Sequence, residues 1–430
     1  MRVEKPREIA VRLLSRRPEA GTWLDDELAA AVQQTRLSPL DRALLHELTL
    51  GAVRQQALLD WLIARRTDDR PQPVVLRNLL RVGLYQMFVL DRIPDHAAVN
   101  ETVELAKRLG FASQAGFVNG LLRGCLRERD KLELALESLK DTQPDIGFSH
   151  PLWLCERWKK NFGPERMRTL LNWNNRAPDV YARVSVLRLS PEKLLEQWTA
   201  EGVEGAPVAF DWIPDGWMMK LVKHPSLATL TSFRDGGFYV QDPSTLLAVT
   251  ELAAVAGESI LDLCAAPGGK TTAIAQWMKN EGSITAFDPD PARRRLIREN
   301  CARLGVSIVR IPEGAPVRPG ERFDRILVDA PCSNTGVMRR RAELRWRITE
   351  AEIERLRREQ FGLLRQARDW LKTGGVLIYS TCSLEPEENE GVIREFMDAS
   401  AGFELLRERQ LSPWAEQVDG AYVAVLRKMK

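Results

Sequence analysis

Apolar residues recur every three to four positions in the first part of the chain, to about Arg129, and gather into short blocks from about Phe238 onward. The first pattern predicts helices. Ser38-Pro39-Leu40-Asp41 reads as a helix start: Ser38 can accept from a free amide, Pro39 is tolerated in the first turn, and Asp41 suits the positive end of the dipole. Leu44, Leu45 and Leu48 follow at helical spacing, and Leu76, Leu80 and Leu84 give the next segment one apolar face. Arg77, Arg81, Lys107, Arg108 and Arg123 stand between the apolar positions and read as a solvated surface.

The polar stretch 127–145 reads as a linker. Beyond it, Trp153, Trp158 and Phe162 alternate with Lys159 and Lys160, a mixture that can stack bases but is more commonly buried tryptophan with lysine stems reaching out. Tyr181–Val186 alternates like a half-buried strand. The expected organisation is an all-α domain over 1–130, a small α/β unit over 146–235 acting as an RNA-binding or linking subdomain, and an α/β domain over 236–430. Strands are expected at Ile260–Leu263, Ile284–Phe287, Ser307–Arg310, Arg325–Val328 and Val376–Tyr379, separated by amphipathic segments, which is the signature of a parallel sheet. Pro291–Leu304 should close on Gly305, and Thr349 with Glu352 forms a capping box. Asp419-Gly420 turns the chain into a final strand over Ala421–Leu426.

Composition narrows the class. The chain has 430 residues, enough for two or three domains, and 62 basic against 59 acidic side chains, so a nucleic-acid face would have to be local. Six cysteines with no CxxC pair exclude a disulfide framework and the usual zinc spacings, and four scattered histidines argue against a metal. The opening stretch is interrupted by charges, unlike a signal peptide, and no apolar run reaches membrane-spanning length. The expectation is a soluble cytoplasmic monomer without a membrane partner.

Ligands of parallel sheets bind beyond the carboxyl ends of the strands. After the first strand come Cys264, Ala265, Ala266, Pro267, Gly268, Gly269 and Lys270, a tight small-residue loop leading into a helix. Asp288, after the second strand, can accept from both ribose hydroxyls of a nucleoside cofactor. A phosphate-binding GxxxxGK[ST] loop would need glycine where Cys264 stands. Two further words follow later strands, Asp329–Gly336 and Tyr379–Ser383, and each sets a cysteine, Cys332 or Cys382, just past its strand. Two small buried cysteines would be the ordinary explanation. Their equivalent placement beside a carboxylate points to chemistry instead.

In order and spacing, CAAPGGK, DAPCSNTG and YSTCS resemble the RNA 5-methylcytosine methyltransferases. Val75–Gly83, Ile93–Glu101 and Phe117–Arg123 resemble the NusB-type RNA-binding helical domain, and the combination is similar to the RsmB (Sun or Fmu) type of bacterial 16S rRNA methyltransferase. The resemblance implies a NusB-like front domain, a middle α/β unit and a Rossmann-like class I methyltransferase domain using S-adenosylmethionine. It implies methylation of carbon 5 of a cytosine in 16S rRNA, naked or in an early assembly intermediate. Carbon 5 is a poor nucleophile until a thiolate adds to carbon 6. By resemblance Cys382 is that thiolate, Cys332 assists release, and Asp329 holds the pyrimidine. Cys264–Lys270, Asp288 and Asp329 match the family's cofactor site. Where the family usually has an acid on the adenine side, Glu313 is the stand-in. After the PCS word the family often has Arg-Arg-x-Pro-Asp, whereas this chain has Arg339, Arg340, Arg341, Ala342 and Glu343. Arg339, Arg340, Arg341 and Arg345 are expected to meet RNA phosphates. A non-catalytic RNA-binding factor and an RNA-stimulated NTPase are the rival classes.

Overall fold

The computed structural model describes residues 5–16 and 22–429, so part of the opening stretch judged above for a signal sequence lies outside the described residues. Among the described residues no helix is long and apolar enough to cross a membrane. The chain forms two compact units.

One unit takes in the described residues to Ala177 together with Met338–Arg347. It is helical, around a leucine-rich core that includes Leu45, Leu48, Leu59, Leu79, Leu80 and Leu84. Helix Pro39–Arg54 starts as expected, with Ser38 Oγ accepting from the Asp41 amide at 3.1 Å. Gly51 of this helix lies so close to the Tyr85 ring that a Cβ there would overlap it at 2.1 Å. Not every basic residue of this region is solvated: Arg81 is buried and grips Asp60 through two nitrogens at 2.7 and 2.5 Å.

The expected linker is a helix. Arg129–Thr142 buries Leu132 and Leu139, one apolar face under an otherwise polar sequence. Helices Leu152–Phe162 and Pro164–Asn175 also belong to this unit, so it runs well past residue 130. Trp158 is fully buried while Lys159 and Lys160 point to solvent.

The other unit holds a small and a large sheet. In the small one, β1 (Val180–Val184), β2 (Glu204–Pro207), β3 (Met218–Lys223) and β4 (Phe238–Val240) lie in the order β2-β3-β1-β4, with antiparallel pairings. β1 is buried on both faces, contrary to the half-buried reading, because Arg183 turns inward. Its guanidinium donates to Gln241 Oε1 at 2.9 Å, the Gly269 carbonyl at 2.7 Å and Thr272 Oγ1 at 2.8 Å.

The large sheet contains β5 (Ser259–Leu263), β6 (Ser283–Phe287), β7 (Val309–Arg310), β8 (Phe323–Asp329), β9 (Leu371–Thr381), β10 (Phe403–Leu411) and β11 (Ala421–Lys428). Their order is β10-β11-β9-β8-β5-β6-β7. The five central and far strands pair in parallel, and β10 and β11 extend the sheet antiparallel. Helices 269–277 and 291–304 cover one face and helices 350–370 and 390–399 the other. Gly305 caps its helix at φ 73°, and the Thr349 hydroxyl accepts from the Glu352 amide at 3.2 Å. From β5 the chain winds outward to β6 and β7 and returns on the other side to β8. That reversal opens a crevice at the carboxyl ends of β5 and β8.

Candidate active site at the carboxyl edge of the large sheet

The loop after β5 enters helix Gly269–Trp277 through two left-handed residues, Cys264 at φ 67° and Gly268 at φ 100°. Glycine suits position 268 twice over, since a Cβ would also stand 3.3 Å from Ile297. The result is a backbone surface of small residues, which a ligand can approach closely. Burial pushes the Cys264 thiol up, so this cysteine is a poor nucleophile.

Asp288, at the end of β6, is buried. Its Oδ1 accepts from the Asp290 amide at 3.1 Å, while Oδ2 accepts no hydrogen bond and faces Arg293 Nη1 at 3.3 Å. A buried carboxylate oxygen in this state fits a ribose hydroxyl donor. Glu313 is mostly exposed and pairs with Arg298 and, at 3.6 Å, with Arg294. Arg294 also donates to the carbonyls of Asp288 and Glu313, tying the two positions together.

Asp329 ends β8. Lys270 donates to its Oδ2 at 2.6 Å and Ser380 to its Oδ1 at 3.2 Å. Burial alone would lower the Lys270 ammonium, but the attraction of Asp329 outweighs it and the pKa is raised, with Cys382 adding to the effect. A fixed cation therefore stands in the field of Cys382.

Cys382 follows directly on β9, and Cys332 comes three residues beyond β8. The two sulfurs lie 3.3 Å apart. Cys332 is buried whereas Cys382 is partly accessible, and the Cys382 thiol also donates to Asn334 Oδ1 at 3.1 Å. Hydrogen bonding to Cys382 and then burial push the Cys332 thiol well up, so it stays protonated at neutral pH. Backbone bonds lock the two words together: Ala330 donates to the Ser380 carbonyl at 2.9 Å and Gly336 to the Cys382 carbonyl at 3.0 Å.

The structure also brings in residues that pattern reading missed. Asn334, left-handed at φ 58°, touches both cysteine words, donating to the Cys332 carbonyl at 2.7 Å. Glu388 is fully buried and accepts from Ser333, Ser383 and Gln360. Asn389 accepts from the Thr381 hydroxyl at 2.6 Å and donates to the Ser383 carbonyl at 3.0 Å. Glu388 and Asn389 follow the second cysteine word in a charged run, which sequence pattern assigns to solvent. Arg183 was hidden similarly in an apparent half-buried strand.

The basic segment needs correcting. Arg345 is fully buried in the helical unit, where it donates to the carbonyls of Arg54, Ser149 and Asn174 at 3.1, 3.2 and 2.9 Å and to Asn175 Oδ1 at 2.7 Å. Arg339 is buried too, its guanidinium 4.0 Å from the centre of the Trp173 ring. Neither can meet a phosphate. Carbonyl oxygens at helix ends have taken the place expected for RNA. Arg340 is half-buried, and Arg341 is exposed with its guanidinium over Trp23 at 5.0 Å.

A doubly covered sheet of this order, with a small-residue loop after β5, an acid after β6 and paired thiols after β8 and β9, defines a Rossmann-like methyltransferase. Similarity to known proteins specifies the family. Residues 249–427 match the profile of 16S rRNA methyltransferase RsmB/F, residues 4–127 the NusB family, and residues 150–220 the RsmF/B-like ferredoxin-like domain. Ribosomal RNA small subunit methyltransferase B of Escherichia coli K12 is 36% identical over 437 residues, covering 98% of each chain. The crystal structure of PH0851 matches with a TM-score of 0.78 at 26% identity over 99% of this chain and 100% of that one. NSun6 from Pyrococcus horikoshii, solved with SFG, matches with a TM-score of 0.58 at 26% identity, over 65% of this chain and 98% of that one. The chain belongs to the RsmB/F family of 16S rRNA methyltransferases. It is an S-adenosylmethionine-dependent enzyme acting on ribosomal RNA, which sets aside both rival classes.

Proposed function

We propose that this enzyme methylates carbon 5 of a cytosine in 16S rRNA through a covalent bond between Cys382 and carbon 6. The observation that carries the reading is the 3.3 Å approach of two cysteines from separate strand ends, beside the Lys270–Asp329 pair. S-adenosylmethionine, when bound, supplies a methyl group on a positively charged sulfur. Cys264–Lys270 would face it with backbone and small side chains, and Asp288 Oδ2, which accepts no hydrogen bond, would accept from its ribose. Glu313 is the acid nearest the adenine side by sequence order.

Cys382 is the more accessible thiol, and the Lys270 ammonium stands in its field. The Cys382 sulfur bonds to carbon 6, and the ring π pair moves to carbon 5, which then takes the methyl group. Asp329 holds the pyrimidine near ring nitrogen 3. The carbon 5 proton leaves to water, its electron pair restores the ring double bond, and the sulfur–carbon bond breaks with its electrons on Cys382. Cys332, buried, protonated and 3.3 Å away, assists that release by donating a proton to the departing sulfur. Arg340 and Arg341 are the members of the basic segment left to meet phosphates. The sparse free cysteines support work in the reducing cytoplasm, and the enzyme is taken to act as a monomer on naked 16S rRNA or an early assembly intermediate.

One denaturing gel with labelled RNA tests the roles. Cys382→Ala should abolish methylation, by on the order of 10⁴-fold or more, and form no adduct. Cys332→Ala should accumulate an RNA adduct that depends on S-adenosylmethionine. An adduct from Cys382→Ala and none from Cys332→Ala would exchange the two roles.

A further inference from the structure

We propose that Glu388 is a positioning residue that anchors the Cys332 loop against Cys382, and that product release depends on it more than attack does. The inference rests on the roles given above to the two cysteines. Glu388 is fully buried, and the groups that donate to it are neutral. Its Oε1 accepts from the Ser333 amide and from Gln360 Nε2, each at 2.9 Å. Its Oε2 accepts from the hydroxyls of Ser333 and, at 2.5 Å, Ser383. A single carboxyl thus ties together the residues that directly follow the two cysteines.

The anchoring is unequal. Gln360 also donates to the Pro331 carbonyl at 2.9 Å, so the main chain on both sides of Cys332 is held by the Glu388–Gln360 pair. Glu388 reaches Cys382 through the Ser383 side chain and, less directly, through Asn334 and Gly336 of the Cys332 loop, while the Cys382 main chain is held by the end of β9. Removing Glu388 would therefore shift Cys332 while leaving Cys382 in place. A buried carboxyl satisfied by four donors is a demanding way to fill space, and its benefit lies in fixed geometry. Misplacing a reacting group by about 1 Å costs up to roughly 100-fold.

The test compares wild type, Cys332→Ala, Glu388→Ala, Glu388→Gln and Gln360→Ala as full-length proteins on the adduct gel, with S-adenosylmethionine affinity measured by calorimetry. Glu388→Ala should trap RNA adduct roughly 10-fold or more above wild type, with cofactor affinity within about 2-fold. Glu388→Gln keeps an acceptor for the Ser333 amide and should fall between Glu388→Ala and wild type. Gln360→Ala, which frees only the Pro331 side, should trap several-fold. Wild-type adduct levels in Glu388→Ala, beside a trapping Cys332→Ala, would overturn the proposal. If Cys332→Ala itself failed to trap, the underlying roles would be at fault instead. Should Glu388→Ala lose cofactor binding through misfolding, Gln360→Ala decides: trapping supports the anchor, and wild-type behaviour sinks it.

Discussion

The two ends of the crevice are built on opposite plans. Around Cys264–Lys270 and Asp288 the surface is backbone and small side chains, and buried carboxylate oxygens of Asp262 and Asp288 accept no hydrogen bond. Around Cys332 and Cys382 the protein supplies its own partners, with Ser333, Thr335, Ser383, Glu388 and Asn389 joined in one buried network. On the function proposed above, the cofactor would complete the first end. The cysteine end is complete already, as precise placement of two sulfurs requires. Substitutions at the first should therefore cost binding, and at the second should cost stability and geometry.

The largest effect is expected at the open end. Asp288→Ala removes two charge-assisted hydrogen bonds to the ribose and should weaken S-adenosylmethionine binding by about 2–4 kcal/mol. Its unfolding free energy should hold or rise, because a buried carboxylate without a full set of partners is lost. Calorimetry and urea unfolding read the two quantities separately. Unchanged affinity would move the ribose elsewhere and break the contrast. At the closed end, Asn389→Ala leaves the Thr381 hydroxyl and the Ser383 carbonyl without their buried partner. It should lower stability by about 2–3 kcal/mol while leaving cofactor affinity intact. A variant of wild-type stability would mean that the network is looser than its geometry implies.

The open plan was legible in the sequence and the closed one was not. Small residues, a glycine turn and an acid at the next strand end are local features, and the helix Pro291–Leu304 with its Gly305 cap was read to the residue. The cysteines were legible because each stands just past an apolar block at a strand end. Glu388 was not, because local pattern cannot distinguish an acid turned inward onto two serines from one facing water. Arg345 failed in the opposite direction. Its charge suggested phosphate, yet its partners are carbonyls of residues 171 to 291 positions away. The helix Arg129–Thr142 looked like a linker because only Leu132 and Leu139 are buried, and β10 was missed because an edge strand can carry Glu404, Arg407, Glu408 and Arg409.

The smallest effect sharpens the contrast through pH. Asp262 is buried at the end of β5, where Thr271 donates to its Oδ2 at 2.6 Å and Oδ1 accepts nothing. Burial pushes its pKa from 3.8 up to about 7, with Asp329 and Asp288 adding to the rise and Thr271 and Lys270 opposing it. The folded state thus binds a proton that the unfolded chain has released between those two values. The stability this group contributes is fully present below the unfolded pKa and is lost as pH rises through about 7. Asp262→Asn keeps a side-chain oxygen for Thr271 but cannot ionise, so it should not show the loss. Relative to wild type, the variant should gain about 1–2 kcal/mol of stability between about pH 6 and pH 8. Parallel urea titrations at the two pH values measure that difference directly. Equal responses in both proteins would mean that Asp262 titrates near the ordinary carboxylate range, so that water or a partner satisfies its second oxygen. The open end would then be less open than the lone acceptors imply, and the contrast would rest on Asp288 alone.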